Sequence, residues 1–461
     1  MKGDMSPANQ PKGRITARLA VFDEKRRRHI ESVGGVGLPF SEPEMILEDY
    51  LHISLTRRKN PLPVFKVQLN MLRDLVTSEM AISKYKRERE ICETELKAEQ
   101  KNKEKLEEEL RIIDGQINCQ RAICRAIRDI VDGIAWRLFD YDRATLLMIA
   151  NRPGNKHINL QGLNAELAEF GNAYSSGDGI AVLNDLTNFL KLGDVTVRKD
   201  EGTFELVEVK TGHKSSGRIT RQKQDLHRTV AFINTGKSET EDEQFSISQL
   251  NITPQTYISN FAGVTEEAAG KGAAIENIGD HLVVSCTDFE RVNELGFESI
   301  KAILKKGHNC VKRWMEKGDL VINLSSQDKY IQVKRYAPFS VYRLPEKTRV
   351  KLMTGSLFFV SFVNISALLR YISERGWKLV KAPREHAEDA ENSGNVDDMS
   401  LATVQKGPLS IAIPYSFSGR IAFEFLRLKT VADTLEAQLS AEPTGVEKNL
   451  YNFADEAGIW D

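Results

Sequence analysis

The stretch from Gly193 to Asp225 reads GDVTVRKDEGTFELVEVKTGHKSSGRITRQKQD, and its apolar alternation decides the fold class. Val195 and Val197 alternate with Asp194 and Thr196, as in a half-buried strand, while Phe204, Leu206, Val207 and Val209 form a more continuous apolar run. The turn-forming RKDEG lies between the two runs, so residues 194–197 and 203–209 read as a hairpin whose second strand sits inside a sheet. A loop, TGHKSSG, leads to the helix-like RITRQKQDLHRTVAFI. Its face of Ile219, Leu226, Val230 and Ile233 includes Gln222, whereas Gln224 falls about 200° away at roughly 100° per residue.

Asp194 opens the first run, and Glu208 and Lys210 close the second. Side chains alternate with period two along a strand, so Glu208 and Lys210 share a face. Two carboxylates suit Mg²⁺ or Mn²⁺ bound through oxygen, with coordination sites left for a water and a phosphate oxygen. The carbonyl of Val209 is placed to join them. The Lys210 ammonium is placed to position the attacking water and offset charge developing on the phosphorane. His213, Lys214, Arg218, Arg221 and Lys223 make the neighbourhood basic and are expected, as a group, to contact phosphates. The Glu-x-Lys triplet also occurs at Glu95-Leu96-Lys97 and Glu99-Gln100-Lys101 on a helical stretch, so the setting carries the signal and the triplet alone does not. An edge hairpin in which Asp194 caps a turn and Glu208 pairs with Lys210 in solvent would use the same residues without chemistry.

Asp194, followed after 13 residues by Glu208-Val209-Lys210 and then by a glutamine-bearing helix, resembles the core of the PD-(D/E)xK nuclease superfamily. That resemblance implies an αβββαβ, restriction-endonuclease-like core within residues 155–290. It further implies that the acid pair binds Mg²⁺, that the lysine assists the water, and that the helix contributes a glutamine, here Gln222. A further acid on the preceding helix, present in some members, falls to Asp185 or to Glu166. Gly193 stands where the motif carries proline. The appended architecture resembles nucleases of bacterial restriction and phage-defence systems, which implies a role in antiviral defence.

With 461 residues the chain is long enough for two or three compact units. Lys and Arg (64) balance Asp and Glu (65), which excludes a generic nucleic-acid-coating surface; any basic surface is local. Five scattered cysteines lack zinc-site spacing and fit reduced thiols in a cytoplasmic protein. The polar start carries no secretion signal, the most apolar window is too short to span a bilayer, and no Walker-type loop is present.

Residues 1–65 form a mixed segment. Residues 66–150, poor in helix breakers, read as a projecting helical arm with a coiled-coil seam from Leu96 to Ile134. The seam is expected to pair either with residues 66–90 folded back or with a second copy. Residues 155–192 read as short helices, including GIAVLNDLTNFLKL, and residues 236–278 as an insertion in the core. HLVVSC at 281–286 reads as the core's last strand. A C-terminal α+β unit over 291–461 is expected to hold strands at 320–324, 330–333, 350–353 and 357–363, and a mobile acidic loop at 384–400.

The fold class is therefore α/β, a nuclease-like core between a helical arm and a C-terminal α+β unit. The expected function is a Mg²⁺-dependent nuclease acting on DNA, with no membrane partner and with oligomerisation or a partner protein engaged through the arm. Two alternatives stand beside it: a nuclease acting on RNA, and a non-catalytic interaction protein that uses the core as a scaffold.

Overall fold

The computed structural model describes residues 41–55, 62–98, 102–150, 162–175, 179–190, 193–199, 202–209, 228–231, 233–234, 254–331, 336–381 and 400–440. These mix helices with three small antiparallel sheets and divide into two compact units. One holds the described residues from 41 to 234 together with 336–354. The other holds 254–331 and 355–439.

The first unit begins with α1 (Ser41–Leu55), α2 (Leu62–Ala98) and α3 (Lys103–Leu138). The pairings Cys92 to Leu106, Arg89 to Asp114 and Glu79 to Arg128 run in opposite senses along the two long helices, which makes them an antiparallel hairpin. Its distal seam buries Cys92, Leu106, Ile113 and Ile117 against Ile82, Tyr85, Leu96 and Leu110. The coiled-coil seam thus closes within the chain.

The proximal part of α3 is no projecting arm. Ala126, Ile127, Ile130, Val131, Ile134 and Ala135 are all buried, as in a helix at the centre of a core. Two acids lie among them. Asp129 accepts hydrogen bonds from the backbone N–H groups of Phe339 (3.1 Å) and Ser340 (2.8 Å), and Asp132 accepts from Asn188 N (2.8 Å) and Nδ2 (2.6 Å). Gly133 permits the first of these approaches, because a β-carbon there would lie 2.5 Å from Ser340 Oγ. The Asp129 bonds tie the 3₁₀ turn Phe339–Val341 to this unit, and the helix Glu346–Thr354 follows it. The expected strand at 350–353 is therefore helical. Its apolar alternation misleads because the helix is buried widely: Arg349, Val350, Leu352, Met353 and Thr354 are all buried.

After α3, Asp140 and Tyr141 adopt left-handed backbone (φ 49° and 58°), and Asp142 caps α4 (Arg143–Ala150) by accepting from Thr145 N at 3.3 Å, with Thr145 Oγ1 donating to its other oxygen at 2.6 Å. Next come α5 (Leu163–Ser175), β1 (Gly179–Leu183), β2 (Val195–Lys199) and β3 (Phe204–Val207). The strands pair antiparallel in the order β1-β2-β3, with Val182 opposite Thr196 and Thr196 opposite Leu206. Two expectations change here. GIAVL is a strand and not a helix, because its buried run pairs along β2. The inner strand is consequently β2, with Val195, Thr196 and Val197 buried, while β3 lies at an edge.

Both edges are closed by carboxamides. Gln68 of α2, fully buried, accepts from Leu183 N (3.2 Å) and donates to Ala181 O (2.9 Å), so that it stands in for a strand beside β1. Asn234 does the same to β3, accepting from Phe204 N (2.9 Å) and donating to Phe204 O (3.2 Å).

The second unit contains α6 (Ile258–Lys271), β4 (Ala273–Ile278), β5 (Leu282–Asp288), α7 (Phe289–Leu295), α8 (Glu298–Glu316), β6 (Val321–Ser325) and α9 (Ser326–Ile331). It continues with β7 (Leu357–Asn364), α10 (Ile365–Glu374), β8 (Lys378–Lys381), β9 (Ser400–Lys406), β10 (Leu409–Pro414), α11 (Ser416–Phe423) and α12 (Leu428–Ser440). Its main sheet has the order β4-β5-β7-β6, and a second sheet has the order β10-β9-β8. One face of the main sheet packs Val283, Phe358, Val360 and Phe362 with Val311 and Trp314 of α8. On the other, Phe359 meets Phe261, Phe423 and Phe425.

The strand expected to complete the nuclease-like core therefore belongs to a different sheet, since β5 pairs with β4 and β7. Residues 254–278 are no insertion; they supply α6 and the edge strand β4. Tyr330 lies in helix α9 and not in a strand. The acidic stretch lies outside the described residues except for Ser400, which opens β9.

Candidate active site

One end of the three-stranded sheet gathers four carboxylates. Asp194 stands just before β2, after Gly193, whose left-handed φ of 67° turns the chain into the strand. Its backbone is fixed twice, by donating to Val207 O (2.7 Å) and accepting from Asn184 N (2.9 Å). Its side chain is fixed by Val209, whose N–H donates to Oδ2 at 2.6 Å. Asp194 and the segment from Glu208 to Val209 are thus brought together, as the hairpin requires.

Glu166 reaches the same place from the first turn of α5. That helix docks on β1 and β2, with Phe170 fully buried and in contact with the rings of Phe65 and Tyr174. Asp185 arrives from the 3₁₀ turn Asn184–Leu186 that follows β1, so it is not on a preceding helix. The turn is held by Asn184, which donates to Gly193 O (3.2 Å) and accepts from Thr196 Oγ1 (2.8 Å). Arg128 of α3 donates to Asp185 O at 2.8 Å. Sequence reading missed Asn184, Arg128 and Gln68, because nothing in the local pattern of a long helix or a short loop marks which polar side chain will meet a distant backbone.

Electrostatics sets this group apart. Burial, reinforced by the negative charges of Asp194 and Asp185, pushes the carboxyl of Glu166 up to about 7. Burial likewise raises Asp194, against the opposing hydrogen bond from Val209, with Asp185 and Glu208 adding repulsion. Glu166 is only 5% exposed, yet among the described residues no hydrogen bond reaches its carboxylate, and neither Glu166 nor Asp194 has an ion-pair partner.

A donor set of carboxylate oxygens with uncompensated negative charge suits a hard cation such as Mg²⁺. Among the described residues no three acid, histidine or cysteine side chains converge to hold an ion. Lys210, Gln222, His213, Lys214, Arg218, Arg221 and Lys223 lie outside the described residues. Of the helix expected to carry the glutamine, residues 228–231 and 233–234 are described; they are helical, and Ile233 is buried as its stripe requires.

Among the described residues no helix is long and apolar enough to cross a membrane. Compared with known proteins, the chain matches no family model, no curated protein and no solved structure.

Proposed function

We propose that the chain is a metal-dependent nuclease that hydrolyses phosphodiester bonds, with DNA as its substrate and antiviral defence as its setting. The observation that carries this reading is the grouping of Glu166, Asp185, Asp194 and Glu208 at one sheet end, where burial, with the repulsion of neighbouring carboxylates added, raises the pKa of Glu166 and Asp194. A fold keeps such an arrangement against its own stability when a cation or a proton transfer makes use of it.

Bound Mg²⁺ supplies Lewis-acid polarisation of the scissile phosphate and an attacking water of lowered pKa. Asp194 and Glu208 would hold it. Asp194 is oriented beforehand by Val209 N–H, so little side-chain freedom is lost on binding. Glu166, its pKa pushed up to about 7, would hold a proton on its carboxyl while the site is purely anionic and give it up when positive charge enters. Lys210 follows Val209 directly and is assigned to orient the water and to offset charge on the phosphorane.

Cleavage of plasmid, linear DNA and RNA in Mg²⁺ tests the proposal, with Asp194→Ala and Lys210→Ala beside the wild type. Both variants are expected to lose cleavage while their melting temperatures hold. Unchanged cleavage in both would sink the assignment. The scaffold alternative gave the coiled coil the working role; the distal seam buried inside the α2–α3 hairpin leaves that alternative with less to act through.

A further inference from the structure

Charge is balanced over the whole chain, so a basic surface has to be local, and α8 of the second unit supplies one. From Ala302 to Arg313 the helix carries Lys305, Lys306, Lys312 and Arg313 and no Asp or Glu. All four are exposed. At roughly 100° per residue, positions seven apart return to within about 20° of one another. Lys305 and Lys312 therefore form one row and Lys306 and Arg313 a second, with the exposed Asn309 between them. Each row runs about 10 Å along the helix axis.

These cations are not spent on the protein's own carboxylates. Lys305 and Lys306 have no ion-pair partner among the described residues. Lys312 approaches Glu316 only to 3.8 Å, with both side chains about half exposed, where pairing contributes little and salt screens it. Arg313 donates to Asn309 O and Cys310 Sγ, each at 3.2 Å, which holds the guanidinium without neutralising it.

The opposite side of the helix is already used. Ile300, Leu304, Val311 and Trp314 are buried against the main sheet and α7. Gly307 lets β4 come close, since a β-carbon there would lie 2.7 Å from Ile275 Cδ1, so the basic face stands on a fixed mount. A helix lying on a membrane needs its apolar side for lipid, and a protein interface centres on aromatic or large apolar anchors. The outward face between Ala302 and Arg313 offers neither. Two rows of cations on a polar face complement a regular polyanion, and a nucleic-acid backbone is one.

We infer that this face of α8 docks on the phosphate backbone of duplex DNA, with Lys305, Lys306, Lys312 and Arg313 each meeting a phosphate. The choice of DNA as occupant rests on the nuclease reading; the cationic face does not.

Fluorescence anisotropy of the full chain with a short labelled DNA duplex, in EDTA so that nothing is cut and over a series of salt concentrations, tests the inference. Wild type is compared with Lys305→Gln/Lys306→Gln and with Lys312→Gln/Arg313→Gln. A third pair, Lys86→Gln/Arg87→Gln on the exposed side of α2, makes the same change in net charge elsewhere. Glutamine keeps helix propensity, and all six positions are exposed, so the fold is retained. Each α8 pair is expected to weaken binding about tenfold and to lower the slope of log affinity against log salt by about two, at roughly 0.9 per phosphate contact. The α2 pair is expected to leave that slope unchanged. No binding by wild type, binding unaltered by the α8 pairs, or an equal loss from the α2 pair overturns the inference, as does tighter α8-dependent binding of an RNA duplex or of phosphatidylserine vesicles. The same proteins in Mg²⁺ separate the two proposals. Cleavage by wild type beside α8 pairs that bind normally sinks this inference alone, and α8-dependent binding by a chain that cuts nothing sustains it while the nuclease reading falls.

Discussion

Two kinds of buried carboxylate share the first unit. Asp129 and Asp132 of α3 are 2% and 1% exposed, and N–H donors from distant chain segments meet each of them. Glu166 is buried to nearly the same degree, but its neighbours are Asp194 and Asp185, and their charge raises its pKa together with burial. Burial alone therefore does not separate the acids that join chain segments from the acid that we propose has a functional role. What separates them among the described residues is the surroundings: Asp129 and Asp132 are met by N–H donors, whereas Glu166 faces the negative charges of Asp194 and Asp185.

Substitutions can break or sharpen that contrast. The largest effect is expected at Asp194→Asn. Cleavage should fall on the order of a thousandfold, because a charge stabilising the transition state is lost, while thermal unfolding shows equal or greater stability. A fall in stability to match would place Asp194 with Asp129. Next is Asp129→Ala, which strands the N–H groups of Phe339 and Ser340 in the core and should lower unfolding stability by about 3 kcal/mol in urea titrations. A cost below about 1 kcal/mol would show that the donors find other acceptors.

Glu166→Gln should act in the opposite direction. The folded-state pKa of Glu166 lies above the ordinary glutamate value, so its ionisation in the folded chain is opposed. Its penalty is absent below the ordinary glutamate value, grows as pH rises, and is complete above about 7. The variant should accordingly melt higher than wild type at pH 8 and alike at pH 4; a gain that is largest in acid would refute the electrostatic account. The smallest signal is proton release. Adding Mg²⁺ to weakly buffered protein at pH 6.5 should release up to about one proton per chain, less at pH 8, and none from Glu166→Gln.

Sequence reading reached the hairpin because Val195 and Val197 alternate with polar neighbours and because RKDEG marks the turn. It placed Asp194 at one strand start beside Glu208 and Val209, which is where they lie. It failed at β1, where GIAVL followed by Leu186 and Leu190 satisfies a helical spacing as well as a buried strand. A strand covered on both faces loses the alternation that would identify it. It identified β5 as a strand and assigned it to the wrong sheet, since an apolar run states that it is buried and not which neighbour it pairs with. Glu166 and Asp185 were both in view, but their shared proximity to Asp194 arises from packing of α5 and the turn after β1, which no spacing rule encodes.

The carboxamide of Gln68 has a consequence for the order of assembly. It supplies the hydrogen bonds that a neighbouring strand would give to β1, and it precedes Leu183 by 115 positions. During vectorial synthesis the helix that carries it emerges long before the strand that needs it. The side chain that covers the outer edge of β1 is therefore already synthesised when β1 emerges from the ribosome.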